Sequence, residues 1–208
     1  MFIAESETRC LSTKAQIKRV AHRLFALKGY HETSMQDIAD EVSVNKATLF
    51  FHYQSKCNLF LSVLEELASV FQETTRNVLE ESRDASLERT LYNVLRAFMM
   101  GCGPECLLLW RKTLLMISSD IEDDVREGSR AIMNKASTAI YRALIDAVSA
   151  RALKVPEEQV ESLVTYFSLF TQCLMDWRVL HMDFTEAAFN ERIERMWHHF
   201  WYGCRPNQ

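Results

Sequence analysis

Apolar residues along this chain recur at intervals of three and four, and strictly alternating runs are scarce, which predicts helices throughout. Ile17, Val20, Ala21, Leu24 and Phe25 fall on one face of a first helix, opened by a capping box at Thr13 and Gln16 and stopped by Gly29. A short second helix carries Met35, Ile38, Ala39 and Val42 inward. Thr33 with Gln36 can open it, or Ser34 with Asp37 one residue later. After a turn at Ser43-Val44, Asn45 is a good N-cap for a third short helix that runs to about His52. Two short helices joined by a tight turn are the helix-turn-helix plan.

Ser55 can cap a long fourth helix with the stripe Leu59/Phe60, Val63/Leu64, Leu67, Val70/Phe71 and Val78. The pattern then predicts helices from about Leu87 to Met100 and from Glu105 to Ile117, separated by a break at Gly101–Pro104. Ser119 and Glu122 box the start of a seventh helix reaching about Arg151. Pro156, at the first helical position and followed by Glu157 and Glu158, opens an eighth. Asp183 with Glu186 opens a ninth that ends before Gly203. The expected fold is all-α with about nine helices.

Composition agrees: with 5 Gly and 3 Pro in 208 residues, few positions are suited to tight turns. The net charge of −4 argues weakly against a nucleic-acid partner, but its distribution reverses that. Residues 1–56 hold eight Lys/Arg against six Asp/Glu, and residues 57–208 hold sixteen against twenty-two. A basic head precedes an acidic body. No stretch approaches the roughly 20 apolar residues of a membrane span, and the N-terminus lacks a secretory pattern. A cytoplasmic protein is therefore expected, with Cys10, Cys57, Cys102, Cys106, Cys173 and Cys204 as free thiols. Cys102 and Cys106 have the spacing of metal ligands on a helix, but Gly103 and Pro104 intervene and no second Cys/His pair follows, so no metal is expected. No Gly-rich phosphate loop, nucleophile elbow or HExxH pattern is present, which argues against an enzyme. No cofactor is expected.

Residues 29–60, GYHETSMQDIADEVSVNKATLFFHYQSKCNLF, carry the most specific pattern. Gly29, Tyr30, Thr33, Ser34, Ile38, Ala39, Val44, Leu49, His52, Lys56 and Leu59 occur in the order seen at the head of TetR-type regulators, and Ala21, Leu24 and Phe25 extend the match upstream. The segment from about residue 12 to 60 resembles that family. The resemblance implies a DNA-binding domain at residues 12–55 and a ligand-binding and dimerisation domain at residues 56–208.

Physical chemistry suggests a role for each matched position. The start of a recognition helix meets base edges in the major groove, and Asn45, Lys46, Ala47 and Thr48 occupy that end. Lys46 can donate to guanine O6/N7, Ala47 can touch a thymine methyl, and Thr48 can bond a base or a phosphate. Thr33 and Ser34 open the preceding helix, whose free N–H groups suit a phosphate. Lys56 is either a phosphate contact or a solvated lysine, and His52 either a phosphate contact or a local hydrogen bond. Phe51 can reach the DNA backbone. Four departures from the family pattern bear on this site. Ser43 replaces the usual turn glycine, Val42 replaces a small residue, and Ala47 replaces a glycine. Phe50 replaces a tyrosine and so loses a hydroxyl aimed at a phosphate.

For the body, the resemblance implies a homodimer built on the last two helices, where Phe189, Ile193, Trp197 and Phe200 are the candidate interface; packing inside one chain is the alternative. It also implies an effector pocket among helices 4 to 8. Candidate lining residues are Phe71, Phe98, Met99, Trp110, Leu114, Met133, Tyr141, Phe167, Phe170 and Cys173, a set suited to a mainly apolar organic molecule. Together these readings point to a transcriptional regulator, most simply a repressor released from a palindromic double-stranded operator by a small organic effector. A helical module that docks a protein through its head is the competing reading. No membrane partner is expected.

Overall fold

The computed structural model describes residues 12–101, 103–117, 121–151, 156–181 and 185–203. Among them are nine helices and no strand: α1 (Thr13–Lys28), α2 (Met35–Val42), α3 (Lys46–His52), α4 (Lys56–Glu81), α5 (Leu87–Gly101), α6 (Pro104–Ile117), α7 (Asp123–Arg151), α8 (Glu157–Leu180) and α9 (Glu186–Tyr202). The all-α expectation holds.

Side-chain caps set most of the helix starts. The hydroxyl of Ser12 accepts the Ala15 N–H at 3.3 Å, so α1 is capped one residue earlier than the expected Thr13 box. At α2 the Ser34–Asp37 alternative is the one that forms, with both reciprocal bonds at 3.0 Å. Ser55 accepts the Asn58 N–H at 3.0 Å at α4, and Ser86 accepts the Arg89 N–H at 3.3 Å at α5. Pro156 sits at the N-cap of α8, one position before the expected first helical residue. Thr185 caps α9, whereas the expected starters Ser119 and Asp183 lie outside the described residues. Each such cap is worth about 1 kcal/mol, enough to decide where a helix begins.

The chain divides into two compact units, one from Met1–Glu73 and Cys102–Ile140, the other from Thr74–Gly101 and Tyr141–Gln208. In the first, α1 packs on α6 and α2, and α2 packs on α3. An aromatic cluster ties α1 to α4: the Phe25 and Tyr30 rings each lie edge-on to Phe60 at 5.0 Å. Polar links run beside it. Lys18 pairs with Glu66 at 2.9 Å, Arg23 pairs with Glu41, and the Lys112 ammonium of α6 donates to the Leu27 carbonyl at 2.6 Å. That carbonyl lies in the last turn of α1, where a cation also complements the helix dipole.

In the second unit, α5 packs on α8 and α9. Leu91, Leu95, Val164, Phe167, Phe189 and Ile193 fill its core. Trp177 stacks on Phe189 at 5.5 Å and Phe170 on Phe200 at 4.4 Å.

Between α2 and α3, Ser43 adopts φ 60°, ψ 41° and is the only non-glycine with positive φ among the described residues. The left-handed conformation lets its N–H reach the Asp40 carbonyl at 3.1 Å and the Val44 N–H reach Ala39 at 3.0 Å, which closes α2. A side chain there costs roughly 1–2 kcal/mol. Glycine would remove that cost and lose roughly 0.5–1 kcal/mol in chain entropy. Ser43→Gly is therefore expected to stabilise the protein by about 0.5 kcal/mol. Urea unfolding checks this: the midpoint should rise, and an unchanged or lower midpoint means the turn is unstrained.

Candidate nucleic-acid interface

A seven-residue helix is too short to persist on its own, so α3 depends on what it is packed against. Leu49 is fully buried and Tyr53, its C-cap, is nearly so. At the other end the Asn45 side chain accepts the Thr48 N–H at 2.7 Å and the Thr48 hydroxyl at 2.9 Å. With these anchors inward, Asn45, Lys46, Ala47, Phe50 and Phe51 face outward, and Phe51 is 84% exposed. Ala47, Phe50 and Phe51 share a helix face by their i, i+3, i+4 spacing. Lys46 reaches 5.9 Å from the Phe50 ring centre, so its charge and the apolar patch adjoin.

The remaining sequence-predicted contacts fare differently. Thr33 is 0% exposed, and its hydroxyl donates to the carbonyls of Gly29 at 2.8 Å and Leu24 at 3.2 Å. It fastens the end of α1, so its side chain does not reach a phosphate. Ser34 is exposed, but its N–H already donates to Asp37. Hydrogen bonds from Ser34 hold the Asp37 carboxyl below its usual range, so a negative charge already occupies the first turn of α2. The Lys56 ammonium donates to the Tyr30 carbonyl at 3.0 Å and stands 4.2 Å over the Tyr30 ring, so it braces the turn after α1. His52 is half-buried with its ring edge-on to Phe51 at 5.3 Å. Thr48 is half-buried and engaged by Asn45, so the outward set reduces to Asn45, Lys46, Ala47, Phe50 and Phe51.

The body candidates also sort by exposure. In the first unit Phe71 and Trp110 are buried edge-to-face at 5.0 Å and Met133 is buried, whereas Leu114 lies on the surface. In the second unit Phe98, Met99 and Phe167 are buried and Phe170 is half-buried against Phe200. The Tyr141 hydroxyl lies 3.0 Å from the Thr165 hydroxyl, and Cys173 is exposed. Leu114 and Cys173 therefore do not line an enclosed pocket in this chain. The interface candidates Phe189, Ile193 and Trp197 are buried by their own chain, and Phe200 is half-buried. The exposed apolar face lies on α8 instead, at Tyr166, Leu169, Cys173 and Leu180. Spacings of three, four and seven put these four on one stripe, a signal present in the sequence but obscured by the bulkier aromatics of α9.

Among the described residues, no group of three or more His, Cys, Asp or Glu is placed to hold a metal ion, and no helix is long and apolar enough to cross a membrane.

Comparison with known proteins adds a name to this geometry. Residues 17–63 match the model of the bacterial regulatory proteins of the tetR family. The HTH-type transcriptional activator FasR of Mycolicibacterium smegmatis is 32% identical over 34% of this chain and 32% of its own length. The chain spans about a third or less of the first curated relatives it matches. The HTH-type transcriptional regulator TtgR of Pseudomonas putida is 22% identical over 86% of both chains. Among solved structures, the transcriptional regulator FadR of Bacillus subtilis, in complex with stearoyl-CoA, superposes with a TM-score of 0.68 at 14% identity. That superposition covers 92% of this chain and 99% of FadR. The family pattern runs from α1 across the turn at Ser43 into α4: residues 17–63 carry the pattern of the bacterial regulatory proteins of the tetR family, on a chain whose fold superposes on that of a solved regulator.

Proposed function

We propose that the protein is a sequence-specific transcriptional regulator that binds a near-palindromic DNA operator as a homodimer, with residues 12–55 reading DNA and residues 56–208 sensing and pairing. The observation that carries this is the outward face of α3, where Lys46, Ala47, Phe50 and Phe51 stand over the buried anchors Leu49 and Tyr53. Lys46 supplies a donor for guanine O6/N7, and the apolar patch suits thymine methyls and sugar edges. The most economical mode is repression relieved by a mainly apolar small molecule; the activator name of FasR makes activation the second reading.

For DNA, Lys46→Ala is expected to relax base preference by about 1–3 kcal/mol at one position of each half-site. Phe50→Tyr is expected to tighten binding by about 0.5–1.5 kcal/mol if its hydroxyl regains a phosphate. Lys56→Ala, in contrast, removes a hydrogen bond to Tyr30, so it should lower folding stability by about 1 kcal/mol and leave the salt dependence of DNA binding unchanged. Binding-site selection and salt titration separate these outcomes. An unchanged preference in Lys46→Ala shows that α3 does not read the bases.

The partner of the α8 stripe is a second copy of the chain. Leu169 is 60% exposed in one chain, so Leu169→Glu leaves the fold intact but buries an uncompensated carboxylate in the dimer, at a cost of several kcal/mol. Sedimentation should show a folded monomer; a tight dimer places α8 outside the interface. Trp197→Glu should instead unfold the chain, because Trp197 is 5% exposed within it.

For the effector, moving an equilibrium from 1:99 to 99:1 takes about 5.5 kcal/mol of differential binding. At about 25 cal/mol per Å² that is about 220 Å² of apolar surface buried in one state only. An exposed ion pair supplies far less. FadR, which shares the fold, is described in complex with stearoyl-CoA, a ligand that joins an apolar acyl chain to a charged nucleotide. Phe71, Trp110 and Met133 in the first unit, and Phe98, Met99, Tyr141, Phe167 and Phe170 in the second, remain the candidate contacts. Trp110→Ala and Phe167→Ala should weaken ligand-driven operator release, followed by tryptophan fluorescence and footprinting. If both leave every ligand response unchanged, neither set of candidates contacts the effector.

A further inference from the structure

Within the first unit, a cavity of about 430 Å³ lies against α1, α4 and α6, and it shares no lining residue with the effector candidates named above. Its volume falls in the range of small-molecule sites. One wall is apolar: Val63, Leu67 and Val70 recur along α4 at spacings of four and three, and the Cys106 side chain of α6 joins them. Burial pushes the Cys106 thiol up to about 11, so at neutral pH it stays protonated and extends the apolar wall.

The opposite wall is cationic. Lys14, Lys18 and Arg19 line it from α1, against a single carboxylate, Glu66, which pairs with Lys18 at 2.9 Å. Ser12 and Ala15 place the N-terminal turn of α1 at the same wall, so the helix dipole adds to the positive potential. Between the two walls stands His22. Its Nε2 atom is buried and has no hydrogen-bond partner in the protein. Desolvation holds the imidazole pKa below its usual value despite Glu105 and Glu66 nearby, so the ring is neutral and presents one unmet hydrogen bond. An unmet buried polar atom costs about 1–3 kcal/mol, which a polar ligand group would recover.

We infer that this cavity binds an amphipathic organic carboxylate, with its head group among Lys14, Lys18 and His22 and its hydrocarbon body along Val63, Leu67 and Val70. A cationic amphiphile meets the wrong charge there, and a bare inorganic anion leaves the apolar wall unfilled. The site lies on the unit that holds α1, α2 and α3, so occupancy acts on the reading segment directly. That consequence rests on the proposed function, but the existence of the site does not.

Val70 is the position at which to test it, being exposed enough to tolerate charge. Calorimetric titration of the full chain with decanoate, below its micelle threshold, is expected to show one bound molecule per chain. Decyltrimethylammonium and inorganic phosphate should bind far more weakly or not at all. Val70→Glu and Val70→Lys each set a charge against the hydrocarbon body, so each should weaken decanoate by roughly tenfold or more. His22→Phe removes the unmet hydrogen bond and should weaken decanoate while leaving the melting temperature unlowered. The inference is overturned by no saturable decanoate binding, by equal binding of decyltrimethylammonium, or by binding indifferent to a charge at residue 70. If Trp110→Ala or Phe167→Ala abolishes decanoate binding while both Val70 variants keep it, the ligand occupies the body pocket and this cavity is not its site.

Discussion

The outward face of α3 depends on the burial of two side chains beneath a helix too short to stand alone. Seven residues of α3 form roughly two turns, and an isolated helix of that length is unfavourable in water. Leu49 and Tyr53 supply the tertiary packing that offsets this, and the doubly used Asn45 side chain fixes the first turn. Orientation follows from the same anchors. With Leu49 inward, the 100° step of the helix turns Ala47 and Phe51 outward, while Phe50 is exposed at the flank and Lys46 at the helix start. The strained Ser43 turn sets the angle at which α3 leaves α2.

A rigid frame holds these anchors in turn. Phe25, Tyr30 and Phe60 join α1 to α4, and three polar groups tie the end of α1 and the loop after it. Thr33 donates to two carbonyls of that region, Lys56 to Tyr30, and Lys112 to Leu27. Each of the three donors meets a backbone carbonyl at or just past a helix end, where the carbonyl lacks an intrahelical partner. Lys112 comes from α6, so the helix that follows the Gly101–Pro104 break bonds directly to the helix that opens the head. A shift of α6 has a physical route to α1 that needs no intermediary.

How much of this the sequence showed depended on whether a residue's partner was local. All nine helices and the turn at Ser43 were legible, because periodicity and caps are local signals. Thr33 and Ser34 both resembled caps, and only the three-dimensional position of the α1 carbonyls decides that Thr33 turns inward. Lys56 was an oddity in the sequence, a cation at a helix start. The Tyr30 carbonyl and ring, twenty-six residues away, explain it. The aromatics of α9 and the thinner apolar stripe of α8 carry the same helical period. Which of them a chain covers itself depends on α5, and α5 takes Phe189, Ile193 and Trp197 into the core while Tyr166, Leu169 and Leu180 stay outside. Of the three boundaries between the compact units, one falls at the Gly101–Pro104 break, but the other two cut through α4 and α7, since a long helix can belong to two cores with no mark in its composition.

The central claim is that α3 enters the major groove and reads base edges there, twice per dimer. Methylation protection on a DNA site selected by the full chain tests it most directly. Guanine N7 lies in the major groove and adenine N3 in the minor groove, so one reagent reports both. The account predicts guanine N7 protection in two clusters about 10–10.5 base pairs apart, or a multiple of that spacing, with adenine N3 still reactive between them. Protection confined to adenine N3, or a single cluster with no symmetric partner, would contradict it.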